Sequence, residues 1–314
     1  MIKTIDKRDF AEIRLWVHRN ARPLELMLWR FHFENGSADD VLAALSCYQN
    51  ADGGMGNAIE PDNWNPESMP YATDFAINIL RQIGFLDVQH PIYQGMLRFL
   101  KDTQYQSCDG WFFTVPGNDN YPHAVCWGYA DDAGSIKQRI GITANLSGFI
   151  LRYLKPDDEM YQVALQYVDM LLDKLNLDDD DRGDMGLGGY ISLYQDLTAA
   201  GLGHRFDLDY LESRTRALVA AQFHEYVWSN HQDMAGAFPT PAMYYYHGYE
   251  QQVSDALDEL IDIRPAGGVW PIPWQWYDGG AYSGEFAISE NWWKSYKAIE
   301  KLLFIKAHGR LQID

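Results

Sequence analysis

Between Cys47 and Gly56 the chain reads Cys-Tyr-Gln-Asn-Ala-Asp-Gly-Gly-Met-Gly. Looser versions of this turn return at Cys108–Trp111, Asp184–Gly189, Asp233–Gly236 and Gly267–Trp270. Each follows one helix-like stretch and precedes another. A unit of helix, glycine-rich turn and helix cannot bury its apolar face alone, so successive units must stack around a shared core. That constraint predicts an all-α protein in which residues 1–314 form a single domain.

The periodicity between the turns supports helices. Met160, Val163, Ala164, Tyr167, Val168, Leu171, Leu172 and Leu175 repeat at helical spacing and make one apolar stripe on a polar segment. Ser37 is placed to cap a helix over Val41–Tyr48, with Asp40 completing an imperfect capping box. Pro91 suits the first turn of a helix reaching about Lys101. Tyr71–Ile83, Ile140–Leu154 and Tyr190–Gly201 are apolar or small nearly all round, as buried helices are. Ser289 is read as the cap of a final helix carrying Trp292, Trp293, Tyr296, Ile299, Leu302 and Leu303.

Five outer–inner pairs follow: 37–48 with 70–84, 88–103 with 139–154, 157–175 with 187–202, 207–223 with 239–247, and 249–263 with 289–303. Stretches 6–20 and 23–33, with Pro23 at a first-turn position, supply a sixth. The turn residues at 52, 109, 184, 233 and 268 are spaced by 57, 75, 49 and 35. Uniform solenoid repeats do not vary so much. An (α/α)5–6 toroid, a double ring of inner and outer helices with long loops on one face, is expected, and an open HEAT-like array is the alternative. Each inner helix would then aim its N-terminal N–H groups at one rim.

Composition narrows the partners. The 25 Lys and Arg against 44 Asp and Glu leave a net charge of −19, which repels phosphate backbones and makes nucleic acid an improbable partner. No stretch approaches the ~20 apolar residues of a membrane span. Residues 1–10 lack an apolar signal core, and three cysteines without a CxxC motif read as reduced thiols. A cytoplasmic location is expected.

Tyr48–Gly54 resembles the glutamine-to-aromatic repeat of the terpenoid cyclase and protein prenyltransferase toroids, with Met55 where those proteins carry Trp or Phe. Leu100–Trp111 and Ala266–Trp276 resemble degenerate copies. Residues 49–62 followed by Ala72-Thr73 are similar to a group of bacterial toroid proteins. The resemblance implies a toroid with a central cavity, and the catalytic signatures of the named enzymes transfer poorly. Asp178, Asp180 and Asp181 match an acidic Asp-x-Asp-Asp string formally but lie in a charged run that reads as solvated loop. Cys108-Asp109 with His123 is the nearest approach to a zinc site and lacks ligand spacing. No metal and no cofactor are expected.

Glu60 and Asp62, two residues apart around Pro61 and just ahead of an inner helix, are the first choice for an acid–base pair or cation site. Capping of helix 70–84, or pairing with an arginine, is their structural alternative. Asp131 and Asp132 form a second carboxylate pair, and His123 would titrate near neutral pH. Asp52, Gly53 and Gly54 read as turn-forming, and His224 and His231 beside Trp228 as structural. Glu285 and Glu290 could extend an acidic ring, with Glu290 serving the dipole of the helix capped by Ser289. Trp64, Trp111, Trp127, Trp270, Trp274 and Trp276 are candidate binding rings, offering aromatic faces for cation–π contact or for stacking on a sugar.

Two classes of function remain. One is an enzyme or binding protein with an acidic, aromatic cavity taking a small neutral ligand, either terpenoid or saccharide. Helical toroids also serve glycosidases and polysaccharide lyases, whose paired carboxylates would suit Glu60 and Asp62. The other is a non-catalytic scaffold. An apolar cavity would favour a terpenoid, and an open groove with polar rims a sugar.

Overall fold

The computed structural model describes residues 2–175, 186–224 and 234–313. Its helices are α1 (Lys7–Asn20), α2 (Pro23–Phe33), α3 (Ala38–Ser46), α4 (Pro70–Gln82), α5 (Pro91–Asp102) and α6 (Ala133–Tyr153). They continue as α7 (Glu159–Leu175), α8 (Gly186–Ala199), α9 (Leu208–His224), α10 (Met234–Ala237), α11 (Glu250–Asp262) and α12 (Ser283–Ala307). Strand is confined, among the described residues, to a hairpin of β1 (Gln106–Ser107) and β2 (Gly110–Trp111). The protein is all-α, as its periodicity predicts. No described helix is long and apolar enough to cross a membrane.

Several helix starts follow local chemistry. Pro23, Pro70 and Pro91 open α2, α4 and α5, where a missing N–H costs nothing. Ser37 Oγ accepts from Asp40 N at 3.1 Å, so the predicted cap forms, over a helix three residues earlier than expected. Two expectations are corrected. Residues 239–247 are turns rather than an inner helix, because Pro239 and Pro241 remove backbone donors and clash with a preceding turn. Ser289 does not cap a helix and Glu290 is not at an N-terminus. Both lie inside α12, which begins at Ser283, and Glu290 pairs with Lys294 one turn on at 2.5 Å.

The chain forms two compact units, Leu45–Leu218 and Met1–Ala44 with Val219–Asp314. In Leu45–Leu218, α6 is the central helix, packed against α8, α7 and α4. A Cβ at Gly189 of α8 would sit 2.8 Å from Gly141 Cα of α6, so this glycine permits a backbone approach that no larger residue allows. Tyr93 of α5 stacks on Phe149 of α6 at 5.4 Å. The predicted stripe of α7 supplies Met160, Ala164, Tyr167, Val168 and Leu171 to this core, each aliphatic side chain worth about 1.5–3 kcal/mol when fully buried.

The other unit joins both ends of the chain. Ile5 N donates to Arg310 O and Gln312 N to Ile5 O, each at 2.9 Å. Helices α1 and α2 pack on α12, and Trp29 of α2 stacks with Phe10 of α1 at 5.3 Å. Arg264 reaches Asp9 at 2.5 Å and Glu12 at 3.2 Å, tying the end of α11 to α1.

Candidate functional site

The Asp-Gly-Gly turn is held by its own side chains. Asp52 Oδ1 accepts from Gly54 N at 3.0 Å and from Ser68 Oγ at 2.7 Å. Gly53 has φ of +96°, a conformation that L side chains rarely adopt. Gln49 Nε2 donates to Gly53 O and to Ile92 O, both at 2.9 Å, so the motif glutamine pins the turn to α5. Asn50 Nδ2 donates to Pro66 O and Ser68 Oγ, closing the loop from the other side. Met55, at the aromatic position of the motif, is fully buried. The motif builds a rigid corner.

Downstream, Asn57 and Ala58 both take the left-handed conformation, a strain of roughly 1 kcal/mol or more for the alanine that its surroundings must hold in place. Glu60 and Asp62 follow, only 4% and 5% exposed. Both precede the N-cap of α4, Met69, which makes no side-chain cap bond. Their segment is sewn to a second loop: Ala124 N donates to Asp62 O at 2.9 Å and Trp64 N to Pro122 O at 3.0 Å. His123 therefore lies opposite Asn63, with Nδ1 2.9 Å from Ala124 O and Nε2 3.8 Å from Asp119. Asn65 donates to Asn118, and Asn118 to Trp127 O, both at 2.9 Å. Trp127 stacks on Phe113 at 4.8 Å and meets Tyr71 edge-on.

Thus Glu60, Asp62, Trp64, His123 and Trp127 do share one loop layer. That layer is packed rather than open, with only Trp64 among them half-exposed. Trp111 is fully buried and donates to Leu100 O at 3.0 Å. Asp131 and Asp132 immediately precede α6. Asp132 Oδ1 caps the helix by accepting from Ser135 N at 2.9 Å, and Asp131 pairs with Arg139 at 3.3 Å. Both carboxylates therefore have structural duties. Trp270, Trp274 and Trp276 belong to the other unit. There Trp270 and Trp276 are buried, Trp270 donates to Leu260 O at 2.7 Å, and Trp274 meets Trp293 edge-on. Asp178, Asp180, Asp181, Trp228 and His231 lie outside the described residues. Among the described residues no group of three or more His, Cys, Asp or Glu could hold a metal ion.

Two features were missed by the reading of the sequence. The first is a polar network inside Leu45–Leu218. Asn145 of α6 donates to Asp74 of α4 at 2.6 Å, and Asn78 donates to the other carboxylate oxygen at 3.2 Å. Arg81 donates to Asn145 at 3.0 Å and to Asp196 of α8 at 2.5 Å, and Arg152 reaches Asp196 at 3.1 Å. Burial pushes the Asp74 carboxyl up to about 7, against the lowering influence of Asn145, Arg81 and Asn78. A signal existed: Asp74, Asn78 and Arg81 fall at i, i+4 and i+7 on an otherwise apolar helix.

The second is an open groove of about 1060 Å³ beside the Asp-Gly-Gly turn. The turn and residues 66–68 form one wall, and the end of α5 with residues 103–105 forms the other. Glu67, Arg98, Asp102 and Gln104 are exposed there, Tyr105 is half-buried, and Phe99 lies beneath. Arg98 and Asp102 lie one helical turn apart on the solvent face of α5. Neither Asp74 nor the Glu60–Asp62 pair lines this groove. Its walls offer hydrogen-bond donors and acceptors together with an aromatic face. The carboxylates of the buried network are engaged by Asn145, Asn78, Arg81 and Arg152, and none of its residues lines the groove, so the groove is the better candidate for binding.

Comparison with models of known protein families gave no match, and comparisons with curated proteins and with solved structures gave none either.

Proposed function

We propose that the chain binds a neutral, hydroxyl-rich ligand, a saccharide, in the groove beside the Asp-Gly-Gly turn. The observation that carries this reading is the lining of the groove. Gln104 and Arg98 supply donors, Glu67 and Asp102 supply acceptors, and Tyr105 supplies a ring. Alternating hydroxyls and C–H faces of a sugar need that combination, and a hydrocarbon does not. The net charge of −19 further disfavours an anionic ligand. Glu67 and Asp102, carboxylates on opposite walls, would be the acid–base pair of a glycoside-cleaving enzyme if binding leads to reaction.

The scaffold part of the proposal is the (α/α) toroid that the glutamine-to-glycine motif resembles. It is supported within Leu45–Leu218 by the side-by-side packing of α4, α6 and α8. Titration calorimetry with disaccharides from starch, cellulose, xylan and mannan tests the binding. At least one is expected to bind in the micromolar-to-millimolar range, and Tyr105→Ala to weaken it roughly tenfold. Absence of binding across the panel, or a Tyr105→Ala protein that binds unchanged, would sink the reading.

A further inference from the structure

A second groove, of about 540 Å³, lies on the other flank of α5 in the same unit, between that helix and residues 153–160. Arg98 and Asp102 line both grooves, so the two meet along the last turn of α5. The first groove alone stands at the upper end of the roughly 300–1,000 Å³ of a small-molecule pocket. A single sugar ring would leave most of it empty.

We infer that the two grooves form one trough and that the ligand is an oligosaccharide lying across α5. This rests on the saccharide reading of the first groove. Each lobe has its own half-buried tyrosine, Tyr105 in the first and Tyr153 in the second. Between them the ridge presents a guanidinium and a carboxylate one helical turn apart, a donor and an acceptor for hydroxyls of adjoining rings. Arg98 keeps its guanidinium near the turn through a long bond to Asp52 O at 3.4 Å. The charges of the second lobe balance: Arg98, Lys101 and Lys155 are matched in number by Asp102, Asp157 and Asp158, and Lys101 is paired with Glu159 at 2.6 Å. A neutral chain meets no net field there. A polyanion or polycation would find no match in this lobe.

The length dependence of binding tests the inference. Calorimetry on the full chain would use the disaccharide that binds and its trisaccharide and hexasaccharide homologues. The hexasaccharide is expected to bind about tenfold tighter than the disaccharide or better. Gln94→Trp, an exposed position that fills the second lobe, should abolish that gain and leave disaccharide affinity unchanged. Lys155→Tyr, exposed on the facing wall, should reduce it. An affinity independent of length overturns the inference, as does a gain that survives Gln94→Trp, while both leave the first groove standing. Failure of every saccharide at every length removes the saccharide reading itself, and the inference with it.

Discussion

In the unit formed by the two ends of the chain, the carboxylates and histidines with displaced titrations favour their alkaline form. In Leu45–Leu218, a core aspartate is held toward its acid form. Burial, with Lys306 nearby, lowers His32 to about 4. The backbone N–H of Gly267 and then Arg264 lower Glu12, and the backbone N–H of Lys3 and then Arg310 lower Asp258. Each folded pKa lies below its unfolded value. The stability it contributes is present above the unfolded pKa and lost as pH falls. Asp74 runs the other way: raised from 3.8 to about 7, it stabilises fully below 3.8 and loses that contribution as pH rises to 7. The lesson is that carboxylates on a rim, bonded by N–H groups, make a structure acid-labile. One carboxylate stripped of water in a helical core does the reverse.

Breaking the network of Leu45–Leu218 is expected to have the largest effect. Asp196 is 3% exposed and is shared by Arg81 and Arg152. Asp196→Ala should destabilise that unit by about 2–3 kcal/mol, because half-buried Arg81 loses the buried carboxylate that it shares with exposed Arg152. Hydrogen exchange of α6 and α8 amides under native conditions would measure the loss. A cost under about 1 kcal/mol would show the network to be dispensable.

Next comes the pH contrast itself. Between pH 4 and 7 the wild-type exchange protection of α4 and α6 should fall as pH rises, by on the order of a few kcal/mol at most. Asp74→Asn should flatten that slope. In the other unit, protection of α2 should fall as pH drops from 6.5 towards 4, and His32→Phe should flatten it. Slopes of the same sign in both units would break the comparison.

The smallest effects come at the start of α6. Asp132→Ala removes a helix cap and should cost about 1 kcal/mol. Asp131→Ala breaks a pair whose carboxylate is 67% exposed and should cost roughly 0.5 kcal/mol or less. Neither should alter the slope that belongs to Asp74, as paired thermal melts at pH 5 and pH 7 would check.

Local chemistry was legible without a structure. Pro23 and Pro91 set φ at helix starts, Ser37 and Asp40 satisfy N–H groups three residues apart, and Asp52 with Gly53 closes its own turn. Each interaction spans a few residues, so spacing alone carries it. The apolar stripe of α7 was readable for the same reason. Where the same local rules were applied to Ser289, they failed: serine and glutamate also fit a helix interior, and only packing of α12 chose between the two.

The rest depends on partners far apart in the chain. Asp74 meets Asn145 and, through Arg81, Asp196, across more than a hundred residues of sequence. Trp111 reads as a binding ring until Leu100 accepts its N–H in the interior. The groove combines a turn at residues 50–52 with a helix end at 98–102, and neither segment alone contains a concavity. Periodicity states which face of each helix avoids water. Which helices meet, and so which charges lose their water and which remain open to a ligand, follows only when the packed backbone brings distant segments within hydrogen-bonding range.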